Sequence, residues 1–455
     1  MSKVSNLVKN LGAGSWARVS NIGFKLLQVP LLLAFLSPED YGRWLILYSL
    51  PSWLSYASQG FGSVAANEIP MRIAGGDADG ARRVYATSVV FLIAIAVGGM
   101  AVVGAIVPWV PWSGFLSVAP ERHSEMAWAA LWLAASLFLS FLGELFSGRY
   151  RAAQRAHGGI MVASFHPWAE LLFMLIAFQF TRRFDYLALA VLLATVSYLV
   201  VYAWLSKRAY PSLTLKWADV DRTAFKQLFR QGFAFQAFPL GNALLFQGNL
   251  LVVQLVLGPA AVALFGTART LVRVLNQALE LVSKSIWPEL SYQYGAGDLA
   301  GMRKLHRLGI GLCAVLAVGG VVGLLLVGGH LYEFWVGSSL ALPFYLLVLF
   351  LLPIPFNALW LTSSTVLLAS NRHERLARRY LVATFTAALA CLVLTYAFGI
   401  GGAAVSTIVA DLILIPYVAS QAIALTQDTW PQFITGSLQE LRNGAGQIAA
   451  KLNLT

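Results

Sequence analysis

Apolar residues run through this chain in long unbroken stretches, and the polar residues collect in the gaps between them. Stretches long enough to cross the roughly 30 Å hydrocarbon core of a bilayer fall at residues 12–36, 42–65, 84–108, 126–147, 160–180, 185–206, 233–257, 260–286, 308–330, 341–366, 378–398 and 402–425. The pattern predicts an all-α polytopic membrane protein of about twelve transmembrane helices. Composition points the same way, with 58% hydrophobic and 11% charged residues, well outside the range of soluble domains. Pro30, Pro51, Pro167, Pro239, Pro353 and Pro355 lie inside spans and predict local bends.

The gaps set the orientation. One alternating set of loops carries Arg82 and Arg83, Arg149, Arg151 and Arg155, Lys207 and Arg208, Arg303, Lys304 and Arg307, and Arg375, Arg378 and Arg379; the opposite set carries Arg122, Arg182 and Arg183. By the positive-inside rule both termini are expected in the cytoplasm. The net charge of +12 is then topological and does not call for a nucleic-acid partner. The N-terminus lacks an apolar core followed by a small-residue cleavage site, so helix 1 is expected to stay. Val4, Leu7, Val8 and Leu11 form one apolar stripe and Ile434, Leu438, Leu441, Ile448 and Leu452 another, as in helices that lie along a membrane surface.

A repeat organises the chain. Gly76–Arg83, "GDADGARR", recurs as Gly297–Lys304, "GDLAGMRK", at a shift of 221 residues, which also carries Leu36-Ser37-Pro38 onto Leu257-Gly258-Pro259, Glu68 onto Glu289 and Asn21 onto Asn242. Helices 1–6 and 7–12 are therefore expected to be two lobes of the same orientation, related by a pseudo-twofold axis along the membrane normal. The expected division is an N-terminal lobe at 1–206, a cytoplasmic basic linker at 207–232, a C-terminal lobe at 233–427 and a cytoplasmic amphipathic tail at 428–455. In the repeated loops Gly can supply the turn and Asp the cap of the next helix.

Charges inside the spans are costly, about 2.5–3.5 kcal/mol each on the lenient insertion scale. In helix 8, Arg269, Arg273, Asn276, Glu280 and Lys284 follow helical spacing and make one polar stripe, and Arg18, Asn21, Lys25 and Gln28 do so in helix 1. Glu280 and Lys284 can pair one turn apart. Arg269, Arg273, Arg18 and Lys25 have no acid three or four residues away, which suggests an anionic ligand between the halves. Arg18, Lys25, Arg269, Arg273 and Lys284 are the substrate-binding candidates. His166 and Glu170, one turn apart, with Asp411 and Glu280, are the candidates for coupling to H+ or Na+. Glu144 is a further acid within the spans, and the amides Gln236, Asn242, Gln247, Asn249 and Gln254 of helix 7 read as interhelical hydrogen bonds.

Signals of catalysis are weak. There is no GxxxxGK[ST] phosphate loop, the acid pair of "DVD" (Asp219 to Asp221) lacks a nucleotide-sugar domain around it, and no histidine has metal-ligand spacing. No enzyme, catalytic residue, metal or cofactor is expected. Cys313 and Cys391 fall within spans and read as packing residues.

The segment Val29–Leu50, "VPLLLAFLSPEDYGRWLILYSL", followed by "GDADGARR" after helix 2, resembles the start of a polysaccharide flippase of the multidrug/oligosaccharidyl-lipid/polysaccharide (MOP) superfamily. The nearest branch is that of the O-antigen and exopolysaccharide exporters, which the Pro-Glu-Asp-Tyr-Gly turn after helix 1 typifies. The resemblance implies alternating-access transport of a polyprenyl-pyrophosphate-linked oligosaccharide from the inner to the outer leaflet of a bacterial inner membrane. The lipid tail would stay in the bilayer, among membrane lipids, at an opening that in related flippases involves helices 1 and 8. A polysaccharide polymerase or ligase is the implied partner. The peptidoglycan-precursor flippases carry two further helices that are absent here. The rival readings are an organic-cation (multidrug) exporter of the same superfamily and a membrane-embedded glycan transferase or polymerase.

Overall fold

A computed structural model describes residues 3–226, 237–337, 339–370 and 373–452, without the side chains of 3–8, 10, 11, 51–64, 67, 74, 237, 288, 373 and 444–452. Every described element is helical. In chain order these are α1 Lys3–Leu33, α2 Pro38–Ala74, α3 Ala78–Ile106, α4 His123–Ser140 with its continuation Leu142–Ala152, α5 Ala156–Ser164 with His166–Phe178, and α6 Phe184–Ala209. α7 comprises Ala237–Ala243, a π-helical turn Leu244–Gly248 and Asn249–Leu257. There follow α8 Pro259–Gly295, α9 Leu299–Val336, and α10 Phe344–Leu351 with Pro353–Ala369. The helix His373–Leu425 has two limbs that meet at Phe398 and Gly399, here α11 (373–397) and α12 (400–425). Gly399 adopts φ +60°, and a Cβ on Gly402 would meet the Leu394 carbonyl, so the limbs cross closely. α13 is Trp430–Leu452.

The twelve expected spans thus map onto α1–α12. Breaks in α5 and α10 precede Pro167 and Pro353, which lack the N–H that would continue the ladder. Eight described helical stretches are long and apolar enough to cross a membrane, and one of them is the 52-residue Glu374–Leu425 that contains both limbs. At 1.5 Å per residue it measures roughly 78 Å, enough for two crossings. α1 and α8 fall outside that set because their polar stripes lower their apolarity, and α2 falls outside it as well.

The chain divides into two compact units, Met1–Ala243 with Gly258–Ala263, and Leu244–Leu257 with Leu264–Thr455. The division falls inside α7, at the π-turn, rather than ahead of it at residue 233. The described part of the expected linker packs back onto the first unit.

The first unit holds α1–α6. Its core includes Ile69, Val84, Leu92, Phe138, Phe141 and Leu145, with Leu213 of the linker buried among them. At one end, Arg122 makes paired hydrogen bonds of 2.9 Å to both oxygens of buried Glu125, which also accepts from the Phe184 N–H at 2.8 Å. Arg43 reaches the Leu116 and Ser117 carbonyls and Asp40. This network ties the first turns of α2, α4 and α6 together. At the other end, Arg149 donates to the Leu213 carbonyl at 2.6 Å and to Ser206 at 3.3 Å, over the Tyr85 ring.

In the second unit, buried Phe265 packs on Phe350, and Thr267 pairs with the Tyr332 hydroxyl at 2.6 Å. α13 does not lie unattached on a surface. Arg307 of α9 grips both oxygens of Asp428 at 2.8 and 2.6 Å, Arg303 donates to the Thr426 carbonyl, and His306 faces the Phe433 ring. Phe433 and Ser437 are buried, whereas Trp430, Ile434 and Leu438 are exposed. The tail therefore has a docked face and a separate apolar face. Ile448 and Leu452 lie outside the described side chains, as do Val4, Leu7, Val8 and Leu11 of the N-terminal stripe. Cys313 and Cys391 are both buried thiols.

The sequence repeat is a structural one. Asp77 and Asp298 each cap a helix by accepting the N–H of Gly80 and Gly301 at 2.8 Å. Gly76 and Gly297 supply the preceding turn with φ of +82° and +72°, a region in which glycine is unstrained.

Glu125→Gln removes the charge that holds Arg122 and the Phe184 N–H. A loss of about 1–3 kcal/mol is expected, read as a lower thermal midpoint in detergent; a wild-type midpoint would show that the network does not hold that end together. A second prediction concerns pH. Burial raises the Asp428 carboxyl, but the hydrogen bonds and charge of Arg307, with the Thr429 N–H and Arg303, outweigh it and leave the group below its usual 3.8. A depressed carboxylate contributes stability above its unfolded pKa and loses it as pH falls through the folded one. Thermal midpoints of wild type should therefore drop below about pH 4 more steeply than those of Asp428→Asn, and parallel curves would refute the assignment.

Candidate functional site

Buried polar groups inside an apolar helix set have to be paired within the protein, and the pairs locate the candidate sites. In the first unit, Ser20 and Phe24 of α1 face α5, where Trp168 donates to Ser20 at 2.7 Å and packs edge-on against Phe24. Arg18 and Lys25 lie on the opposite side of α1, Arg18 exposed and Lys25 half-buried.

His166 and Glu170 come together as their spacing predicts, with Nε2 3.3 Å from Oε1. Three further helices complete the group. The Tyr48 hydroxyl of α2 donates to Glu170 Oε2 at 2.7 Å, and Thr195 of α6 lies 3.0 Å from His166 Nε2 and 2.7 Å from Ser136 of α4. His166 also stacks on Tyr198 at 4.4 Å. The group borders a cavity of about 260 Å³ lined by Phe24, Tyr48, Ser136, His166 and Glu170, among others. A buried carboxylate beside a polar and aromatic cavity can take up a proton or a cation.

The second unit holds a counterpart. Asp411 of α12 is buried, and its Oδ1 accepts from Trp360 Nε1 at 2.5 Å and Asn357 Nδ2 at 3.3 Å. Asn357 lies 221 residues after Ser136, while Thr195 and Asp411 each stand 14 residues before the ends of their helices, Ala209 and Leu425. The cross-helix hydroxyl pair of the first unit is thus an amide–carboxylate pair in the second.

The polar stripe of α8 is real, and its members differ. Lys284 and Glu280 pair at 2.7 Å and are both exposed beyond 40% of their side chains, so each is neutralised by the other. Arg269 donates Nη1 to the Phe246 carbonyl at 2.7 Å, with its guanidinium 5.5 Å from the Phe246 ring and 5.4 Å from that of Phe265. Arg273 lies over the same Phe246 ring at 4.3 Å. Both arginines therefore converge on the π-turn of α7. Phe246, Tyr48, Thr195, Trp360 and Asn357 were not singled out from the sequence, because an aromatic, hydroxyl or amide residue in an apolar helix carries no spacing signal until its partner is known.

No family model matches the sequence, and no curated protein does either. Solved structures do match. An inward-facing multidrug-resistance MATE family transporter of the MOP superfamily superposes with a TM-score of 0.76 at 15% identity, over 90% of this chain and 96% of that one. The lipid II flippase MurJ in an inward closed conformation gives 0.69 at 12% identity, over 96% and 91%. A MOP superfamily transporter from Pyrococcus furiosus, whose binding pocket of reverse polarity suggests a different function, gives 0.61 at 14%, over 93% and 95%.

The chain has a MOP-type transporter fold. At these identities the likeness extends to the fold alone. Within the MOP-type fold, the expected substrate candidates are distributed as Arg18 and Lys25 in the first unit and Arg269, Arg273 and Lys284 in the second. The acid candidates fall as His166 with Glu170 in the first unit and Asp411 and Glu280 in the second.

Proposed function

We propose that the protein is a flippase that moves a polyprenyl-pyrophosphate-linked oligosaccharide from the cytoplasmic to the outer leaflet of a bacterial inner membrane, with both termini in the cytoplasm. The observation that carries the reading is the state of Arg269 and Arg273. Both project from α8 at helical spacing, both guanidinium groups lie against the Phe246 ring, and Arg269 also donates to the Phe246 carbonyl, so one turn of α7 gathers two cations. A guanidinium can offer a pyrophosphate two parallel hydrogen bonds, and two of them side by side suit such a group. Arg18 and Lys25 add positive charge on one side of α1. The MurJ likeness is compatible with a lipid-linked substrate, and a polymerase or ligase that consumes the exported glycan is part of the proposal. In this reading Glu170 with His166, or Asp411, couples transport to H+ or Na+.

A second reading, export of organic cations, draws support from the Glu170 cavity. Phe24 and Tyr48 flank a carboxylate there, a combination that suits a cation.

Leaflet translocation of a labelled polyprenyl-pyrophosphate oligosaccharide in proteoliposomes tests both. Wild type should translocate, and Lys25→Ala and Arg273→Ala should each lose tenfold or more in rate, in keeping with about 1.5–3 kcal/mol for a charged hydrogen bond, at unchanged thermal midpoints. Export of organic cations without glycolipid movement would select the second reading. Glu170→Gln should abolish stimulation by an imposed H+ or Na+ gradient while leaving substrate binding intact; stimulation that survives in this variant would remove Glu170 from coupling.

A further inference from the structure

Five side chains from four helices of the first unit bond to one another in series. Ser136 of α4 lies 2.7 Å from Thr195 of α6, Thr195 lies 3.0 Å from His166 Nε2 of α5, that nitrogen lies 3.3 Å from Glu170 Oε1, and Glu170 Oε2 accepts from the Tyr48 hydroxyl of α2 at 2.7 Å. Thr195 is 0% exposed and Ser136 5%, so the protein itself has to supply their partners.

The joint of the series is His166 Nε2. A neutral imidazole nitrogen holds one proton or one lone pair, and this one reaches two oxygens, Thr195 Oγ1 on α6 and Glu170 Oε1 one turn along its own helix. An ionised carboxylate only accepts, so beside ionised Glu170 the ring proton sits on Nε2. Charge then decides where the N–H points. Hydrogen bonds to an ionised oxygen are about twice as strong as neutral ones, so ionised Glu170 draws the N–H to itself and Thr195 keeps only its bond to Ser136. Once Glu170 is protonated that advantage is gone, and the closer Thr195 oxygen takes the N–H. Tyr198 stacks on the His166 ring at 4.4 Å, and with both oxygens already within 3.3 Å the exchange requires a tilt and no ring flip. The other titratable groups facing the pair are Tyr48 and Tyr198; α4 adds Glu144, whose charge reaches Tyr198, and α1 meets α5 with Ser20 and Phe24.

We infer that the coupling ion is a proton and not sodium, and that it acts by passing the His166 N–H from Glu170 to Thr195, which turns a bond within α5 into a bond from α5 to α6. This rests on the coupling reading above and adds to it the ion and the response of the protein. The proton taken up forms one O–H bond on Glu170, no other covalent bond changes, and His166 stays neutral throughout. A hard cation needs a shell of several oxygens, whereas both oxygens of Glu170 already face proton donors. Thr195 and Ser136 are positioning residues: the first receives the N–H, and the second accepts the Thr195 proton in both states.

The test is the thermal midpoint of the full-length protein in detergent, followed from about pH 9 to pH 5, the range in which a buried carboxyl titrates. Thr195→Val removes the acceptor that the protonated state alone uses. Its midpoint should run parallel to wild type at high pH, offset by the lost Ser136 bond, and fall a further 1–3 °C or so below it as pH drops. In a Glu170→Gln background, where the carboxylate is permanently neutral, Thr195→Val should show the full gap at every pH. Ser136→Ala should give an offset that pH does not change. Where Thr195→Val does not fold, nitrogen-15 spectra of histidine-labelled wild type take its place: the His166 Nε2–H signal should move as pH falls while the ring remains neutral.

A gap between wild type and Thr195→Val that is the same at all pH values overturns the exchange, as does a gap that still varies with pH in the Glu170→Gln background, or a His166 ring that becomes an imidazolium across this range. A midpoint raised by NaCl over equal KCl in wild type and not in Glu170→Gln overturns the choice of proton over sodium. None of these measurements uses a substrate. A pH-dependent gap in a protein whose transport no H+ gradient stimulates would instead sink the coupling reading on which the ion rests, and leave the His166 exchange standing.

Discussion

Water is absent from a hydrocarbon core, so each polar group placed there has to find its partner inside the protein. The rest of the structure depends on how this constraint is met. Glu170 draws on three helices, through Tyr48, His166 and the Thr195 that steadies His166. Asp411 draws on Trp360 and Asn357 of one neighbouring helix. Arg149 takes two oxygens and an aromatic face, and with them fastens the linker to the first unit. These contacts fix the rotation of helices whose apolar surfaces alone would pack almost equally well in several orientations, since lipid tails provide little hydrophobic drive between them.

The repeat shows what this constraint leaves adjustable. Backbone devices are copied closely: the glycine turn, the aspartate cap and the cap's bond to a glycine N–H recur at Asp77 and Asp298 with the same 2.8 Å length. Side-chain chemistry diverges. Arg72 bridges Glu68 and Asp77, and the residue at its repeated position is Gln293, which bonds to Glu289. Tyr48, the donor to Glu170, occupies the position repeated as Arg269, the donor to the Phe246 carbonyl. Each copy thus keeps a hydrogen-bond donor at that point of its second helix, and the two copies differ in whether the donor carries charge.

Helix number, the fold class and the repeat were legible in the sequence because length and apolarity are summed over some twenty residues and tolerate local error. The His166–Glu170 contact was legible because one turn of helix brings such residues together. The partners Tyr48 and Thr195 were not, since they sit on other helices and nothing in a single sequence pairs α2 or α6 with α5. The docking of α13 escaped for a related reason. Its exposed stripe, Trp430, Ile434 and Leu438, reads as membrane-binding, while the side that holds it to α9 depends on Phe433, Ser437 and an aspartate just before the helix. The π-turn left no trace either, because it alters hydrogen-bond spacing without altering hydrophobicity.

The manner in which Arg269 and Arg273 are held bears on what they are for. Glu280 holds Lys284 by charge, whereas ring faces and a carbonyl take part in holding these two: a cation over an aromatic ring gains about 0.5–2 kcal/mol, enough to orient a guanidinium. A single Phe246 provides both the carbonyl for one arginine and a ring face for the other, so one residue of the π-turn takes part in placing two cations that stand one turn apart on α8.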